Sequence, residues 1–310
     1  MIKMGAKLKK EENKKLTVVK HNSIVEGNYQ LTVYESRILL TCIAKVDSKK
    51  KLTDHHVFSI TVNDIAELVN IDRNAAYTRL KQSVDSLLNR FITIDVDGGL
   101  PLKTRWVYGV RYAENEGKIE LRFAPEIMPL LSNLKGNFTQ YKLTHVLGFQ
   151  SSYSIRLYEI LCEKMGGECI LEVDWIKKKF EIDNEYSRVG NLKARVIDPA
   201  VNEINTYSNM RVSYTQVKRG RTIVGFKFVY VIAIDKKSSK QQQKFSEFLN
   251  EEKIKPEKNI NSSTSKKNIN NIDDIDNIEY FADMRKKYGD AVTNAIPDHI
   301  IELLKSQGRW

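Results

Sequence analysis

Residues 186–208 read YSRVGNLKARVIDPAVNEINTYS, and on a helix turning about 100° per residue this run sorts its side chains by chemistry. Val189, Leu192, Val196, Ala200, Ile204 and Tyr207 share one arc, while Arg188, Asn191, Arg195 and Asn202 share the opposite one. Arginine carries a fork of donors that matches the two acceptors on the major-groove edge of guanine, and asparagine matches the edge of adenine. We therefore take Arg188, Asn191 and Arg195 as candidate readers of base edges. Lys193 falls near the apolar arc, so its chain is expected to snorkel and bring its ammonium to a backbone phosphate. Downstream, Lys218-Arg219-Gly220-Arg221 reads as a tight basic turn between two strands, and Lys218, Arg219 and Arg221 suit phosphates, which add affinity without sequence information. An earlier helix offers Arg73, Tyr77, Arg79 and Lys81 in the same manner, but Asp85 follows on its exposed side, so it is expected to be a secondary DNA-binding element. The run Lys177-Lys178-Lys179 goes round a whole helical turn and is explained at least in part by solvation.

The distribution of charge supports an acidic partner for this part of the chain. The net charge is +11 over 310 residues. Residues 235–310 hold 14 basic and 13 acidic side chains, so that end is nearly neutral. Residues 186–221 alone hold 7 basic against 2 acidic, which equals the whole basic excess of residues 135–234. The positive field is thus concentrated on the run that carries the candidate readers.

Other chemistries find no support in the sequence. Gly117-Lys118 lacks the upstream glycine of a phosphate-cradling loop, and there is neither a dinucleotide fingerprint nor a nucleophile elbow. The 14 tyrosines could include a DNA-nicking nucleophile, but its usual partner is a pair of histidines separated by one residue. His55 and His56 are adjacent and on a strand would point to opposite faces. Cys42, Cys162 and Cys169 have no metal spacing and read as buried thiols in a reducing compartment. No catalytic residue, metal or cofactor is expected. No segment reaches the ~18 uninterrupted apolar residues of a membrane span and the charged N-terminus has no apolar stretch behind it, so the expectation is a cytoplasmic protein without membrane association.

The elements that must position these residues follow from periodicity. Helical spacing covers residues 31–46, a strand 58–62, a helix after an N-cap at Asn63, and a longer helix after an N-cap at Asn74. Extended segments follow, FITIDV and then LKTRWVYGVRYA and KIELRFA joined through Glu114-Asn115-Glu116-Gly117. That order is a winged helix. The second half repeats it, with a helix at 152–165, a strand at 169–173, a helix at 174–182, the opening run, and a hairpin across Lys218 to Arg221. Val62, Ile65, Ile71 and Asp72 align with Val173, Ile176, Ile182 and Asp183 at an offset of 111, and Leu80, Lys81 and Val84 align with Leu192, Lys193 and Val196 at 112. Such internal matching marks a duplication.

The fold class is therefore α+β, two tandem winged-helix domains related by internal duplication, plus a low-complexity linker and a short helical C-terminal tail. The divisions are a flexible N-terminus at 1–16, domain 1 at 17–135, domain 2 at 136–235, a disordered linker at 236–278, rich in Asn, Ser and Lys, and the tail at 279–310. Pro199 removes a backbone donor and disfavours helical geometry at Asp198. Yet apolar spacing stays in phase from Val189 to Tyr207, so a bent and unbroken helix is expected.

VNEINTYSNMRVSYTQVKRGRTIVGFKF, together with VVKHNSIVEGNYQLTVYESRILL, resembles the initiator replication proteins of iteron-bearing plasmids that replicate by the theta mode. The resemblance spans about residues 17–234. It implies two winged helices of common ancestry that bind direct repeats at a plasmid origin, with the second making the principal major-groove contacts. It implies a homodimer formed through domain 1 that binds an inverted repeat at the operator of its own gene. It also implies opening of an AT-rich region and recruitment of a host initiator, helicase and primase. By position it places Arg188 and Arg195 at base contacts and Lys193 at a basic site, while Ala194 departs from relatives with consecutive basic residues. A transcriptional repressor would use the same helices, and a nicking rolling-circle initiator is the enzymatic alternative.

Overall fold

The computed structural model describes residues 16–232, except 54, 65–72, 96–99 and 165, together with residue 305. The expected linker and tail therefore lie outside the described residues, apart from residue 305, as do residues 1–15 of the expected flexible N-terminus and most of the helix expected after Asn63.

The chain begins with β1 (Thr17–His21) and the short α1 (Asn22–Val25). Helix α2 (Val33–Ala44) starts at a reciprocal cap: Glu35 N donates to Thr32 Oγ1 at 3.2 Å and Thr32 N to Glu35 Oε2 at 2.7 Å. These bonds satisfy two donors left open at any helix start. Every residue of α2 from Glu35 to Ala44 is buried, so α2 is a central strut of the first half. After β2 (Phe58–Thr61) a helical turn opens at residues 62–64. Its cap is Thr61, which exchanges bonds with Asp64 at 2.8 and 3.2 Å. Asn63, expected to be the cap, is already helical; the Thr-x-x-Asp pair closes two donors where Asn63 would close one. Asn74 is likewise inside a helix, since α3 runs Arg73–Leu87.

The extended region then divides into two hairpins. β3 (Phe91–Ile94) pairs with β4 (Leu102–Arg105), and β5 (Val107–Ala113) pairs with β6 (Lys118–Phe123) across a 3₁₀ turn at Glu114–Glu116. Gly117 there has φ 57°, which a side chain would strain. Trp106, 2% exposed, lies between β4 and β5 and pins the break into the core. His55 and His56 precede β2 in a turn, not on a strand as expected. The His56 ring packs edge-on against Phe58 with centroids 4.7 Å apart.

Downstream come β7 (Phe138–Lys142), α4 (Ser152–Lys164), β8 (Glu168–Glu172) and α5 (Val173–Phe180). A helical run at 189–207 and a hairpin of β9 (Met210–Arg219) and β10 (Thr222–Ile232) complete the second half. The two three-stranded sheets have matching orders, β2-β6-β5 and β8-β10-β9. In each, the strand before the helices pairs with the last strand of the wing. The chain thus builds two winged helices, with the β3-β4 hairpin as an addition to the first.

The start of the chain is joined to β7 and α4 by pairing and by buried charge. β7 lies just past the expected division at 135 and pairs antiparallel with β1, Val19 opposite Gln140. Helix α4 supplies two buried ionic groups, Arg156 and Glu159. Glu159 Oε1 lies 2.7 Å from Lys20 Nζ, with both side chains at most 2% exposed. The hydroxyls of Tyr141 and Tyr29 also donate to Glu159. Arg156 donates to the carbonyls of Val25, Gly27 and Lys179 at 3.0, 2.7 and 3.2 Å, and its guanidinium sits 3.7 Å from the Tyr29 ring centroid. Glu159 is paired and the terminal nitrogens of Arg156 donate to three carbonyls, which lets these charges stay buried, while Arg156 Nε has no hydrogen-bond partner among the described residues.

His145 gives this core a pH dependence. Its Nδ1 is 3.1 Å from the Tyr158 hydroxyl, and burial, followed by the charge of Lys142, pushes its pKa from 6.5 down to about 4. The folded chain keeps the ring neutral while the unfolded chain protonates it, so stability is lost as pH falls from 6.5 towards about 4. His145→Gln is expected to flatten that part of a urea-midpoint profile against pH, and an unchanged slope would count against it.

Candidate nucleic-acid interface

The second helical run is built from three pieces without a gap: α6 (Val189–Leu192), a π segment (Lys193–Ile197) and α7 (Asp198–Tyr207). Asp198, expected to be driven from helical geometry by Pro199, has φ −59° and ψ −48°. Its amide donates to the carbonyl of Lys193, five residues back. The physical reason is the proline. Pro199 offers no amide to the preceding turn and crowds the carbonyl four residues earlier, and a wider i to i−5 turn accommodates both. The helix is continuous, as expected, but a π turn achieves this.

Burial sorts the helix as the arc requires. Leu192, Val196, Ala200 and Ile204 are at most 1% exposed, and Val189 is half-buried. Two positions depart. Ile197 is fully buried, because the extra residue of the π turn presents successive positions to the core. Tyr207, assigned to the apolar arc, is 51% exposed. Its ring instead lies across Gly148, where an added Cβ would come within 2.7 Å of it.

Arg188, Asn191, Arg195 and Asn202 are all exposed. No hydrogen bond or ion pair to the Arg188 or Arg195 side chain is made among the described residues, so both guanidinium forks are open. Arg188 is the residue just before the helix, with φ −93° and ψ 122°.

Lys193, expected to reach for phosphate, is held within the protein. Its Nζ lies 2.8 Å from Asp198 Oδ2 and 5.8 Å from the Tyr214 ring centroid. The Tyr214 hydroxyl bonds the other carboxylate oxygen of Asp198. The hydrogen bond that Lys193 donates to Asp198 raises the lysine's pKa, and burial, reinforced by Asp198, pushes Tyr214 up to about 12. A nearby carboxylate and ring face satisfy the ammonium at no cost in reach.

The wing follows. β9 and β10 are joined by the two residues Gly220 and Arg221, with Gly220 at φ 63°. Positive φ at the first central residue is what a tight hairpin of this class demands, and glycine meets it without strain. Lys218, Arg219 and Arg221 are exposed around this tip. Two links set the wing against the helix. The Asn205 amide brackets Val212, donating to its carbonyl and accepting from its amide at 2.8 Å each. Further along β9, Tyr214 meets Asp198. Moving from Val212 towards the turn therefore runs from Asn205 back past Asp198, so the basic tip extends towards the helix end that bears Arg188 and Arg195. Sequence reading missed both links; the signal for Asn205 was a polar residue beside buried Ile204.

The first half differs in how its candidates are engaged. Arg79 donates to the Tyr34 hydroxyl at 2.8 Å and stacks over that ring at 4.5 Å. Lys81 pairs with Glu114 on the wing turn at 3.0 Å and lies 5.3 Å from the Tyr112 ring centroid. Tyr77 is half-buried and its hydroxyl faces inward without a hydrogen-bond partner. Arg73 opens α3, and its side chain lies outside the described residues. Among the described residues the second half thus brings exposed, uncommitted cations together, whereas in the first half Arg79 and Lys81 are engaged. Among the described residues no helix is long and apolar enough to cross a membrane.

Residues 17–162 match the family described as Initiator Replication protein, WH1, and residues 172–230 match Initiator Rep protein, WH2. A replication initiation protein of Escherichia coli is 31% identical over 215 residues, 66% of this chain and 66% of that protein. The PI protein of Escherichia coli is 27% identical over 268 residues, covering 75% of this chain and 88% of its own length. Among solved structures, the Pi initiator protein in complex with iteron DNA superposes with a TM-score of 0.62 at 26% identity, over 72% of this chain and 99% of that one.

Proposed function

The chain belongs to the initiator replication protein family, and from that premise we propose that it starts theta replication of a plasmid by binding iteron repeats at the plasmid's origin. The observation that carries this reading is the exposed face of the second reading helix, where Arg188, Asn191 and Arg195 stand uncommitted beside the basic turn of Lys218, Arg219 and Arg221. A helix of this size fits the major groove, and its arginines and asparagine address base edges. The wing cations take the flanking phosphates. Arg73, Tyr77, Arg79 and Lys81 form the weaker, secondary element, in line with the engagement of Arg79 and Lys81 inside their own half. The protein acts without catalysis of its own, in the cytoplasm, as two DNA-binding units divided near residue 135. Dimers formed through the first unit repress its own promoter at an inverted repeat. The host initiator and helicase are recruited once the origin is bound.

Mixed with origin DNA from the replicon that encodes it, the chain is expected to give a ladder of shifted species, one step per direct repeat. An origin left unshifted at low salt would end this reading. Lys218→Ala is expected to weaken binding to all duplexes alike and to reduce the slope of log affinity against log salt by about one. A loss confined to the repeats would instead make Lys218 a base reader.

A further inference from the structure

The two halves share a feature that no base or phosphate contact requires. In the second, Lys193 lies over the Tyr214 ring at 5.8 Å while the Tyr214 hydroxyl bonds Asp198. In the first, Lys81 lies over the Tyr112 ring at 5.3 Å while the Tyr112 hydroxyl bonds Asp85. Each lysine and aspartate stand on the reading helix, and each tyrosine on the first strand of the wing, β5 or β9.

The spacing makes the repetition informative. Lys81 and Asp85 are four apart, which stacks them on one face of an α-helix. Lys193 and Asp198 are five apart, and at about 100° per residue an α-helix would leave them about 140° out of line. The π turn absorbs the additional residue. Lys81 and Val84 precede their partners Lys193 and Val196 by 112 positions, but Asp85 precedes Asp198 by 113. Ile197 is the residue without a counterpart, and it is fully buried. A one-residue insertion has thus been taken up in a way that returns the aspartate to its lysine and tyrosine.

We propose that Lys193, Asp198 and Tyr214 are positioning residues that fix the base-reading helix against its wing, and that Lys81, Asp85 and Tyr112 do the same in the first half. Lys193 is then not a phosphate ligand. The tie sets the angle between Arg188, Asn191 and Arg195 on one side and the wing cations Lys218, Arg219 and Arg221 on the other. A duplex can engage both only if that angle is right, so the tie acts on selectivity; in this respect the inference rests on the DNA-binding reading above.

The test uses the full chain with Tyr214→Phe and Lys193→Ala. On origin repeats and on a scrambled duplex, Tyr214→Phe is expected to lower the ratio of the two affinities about tenfold, the scale of one lost hydrogen bond to a charged group. Lys193→Ala is expected to leave the salt slope unchanged. Without DNA, amides of residues 198–207 are expected to exchange faster in Tyr214→Phe than in the parent. A salt slope reduced by about one in Lys193→Ala would make Lys193 a phosphate ligand and overturn the proposal. So would Tyr214→Phe with an unchanged affinity ratio, whether exchange is altered or not, when the parent discriminates between the two duplexes. If the parent shows no preference for the repeats, the initiator reading fails by itself, and the DNA-free exchange rates decide the tie.

Discussion

Replacing Lys20 by alanine is expected to destabilise the folded chain by about 3–5 kcal/mol, the usual consequence of leaving one member of a buried ion pair alone. Glu159 is 1% exposed and would retain only the Tyr29 and Tyr141 hydroxyls as donors. Neither supplies a charge to compensate for the lost ammonium, which lies 2.7 Å from the carboxylate. The comparison is Lys164→Ala. Lys164 pairs with Glu26 at 2.6 Å, but those side chains are 32% and 41% exposed, and solvent-exposed pairs contribute at most about 1 kcal/mol. Urea unfolding of both variants checks the difference; equal losses would contradict the role given to burial. Lys20 is on β1 and Glu159 on α4, so the pair ties the first strand of the chain to the long helix that precedes β8.

The second large effect is on recognition. Arg195→Ala is expected to cost about 1–3 kcal/mol of binding to the repeats and to relax the sequence preference at one base pair. Folding should be unaffected to within about 0.5 kcal/mol, because Arg195 is exposed and makes no bond that its removal would break. The corresponding change in the first half, Arg79→Ala, is expected to weaken binding less, since Tyr34 already occupies that guanidinium. Titrating each variant against single-base-substituted repeats separates the outcomes. If Arg195→Ala weakened every duplex equally, with a lower salt slope, Arg195 would be a backbone contact and not a reader.

What the sequence disclosed, and what it concealed, follows from the range of the interactions involved. Periodicity is local, so the main helices and the two wing hairpins, the basic turn at Gly220 and the exposed line of Arg188, Asn191, Arg195 and Asn202 could be read directly, whereas the break at Trp106 and the strand β7 were not. The internal match at Leu80 and Val84 was also legible, and both these residues and their partners Leu192 and Val196 are buried to within 1%. Long-range pairing was not. Arg156 and Glu159 look like the solvated face of α4, yet both are buried, because Lys20, Tyr29, Tyr141 and three backbone carbonyls converge on them from distant parts of the chain. Lys193 looked free because Asp198 is five residues away, a spacing that brings two side chains together only in a π turn. The proline that forces that turn was visible, but not whether the helix would break or widen. Widening keeps Leu192 and Ile204 in one core, which a break would have separated.

The central claim is that this chain initiates replication, and circular DNA bearing its gene, the flanking repeats and a selectable marker, with no other origin, tests it most directly. Introduced into a permissive host, this DNA is expected to be maintained as a plasmid, and to be lost when the gene carries Arg188→Ala and Arg195→Ala together. Failure of the unaltered DNA to establish itself, in cells where the protein still represses its own promoter, would contradict the account and leave a transcriptional repressor.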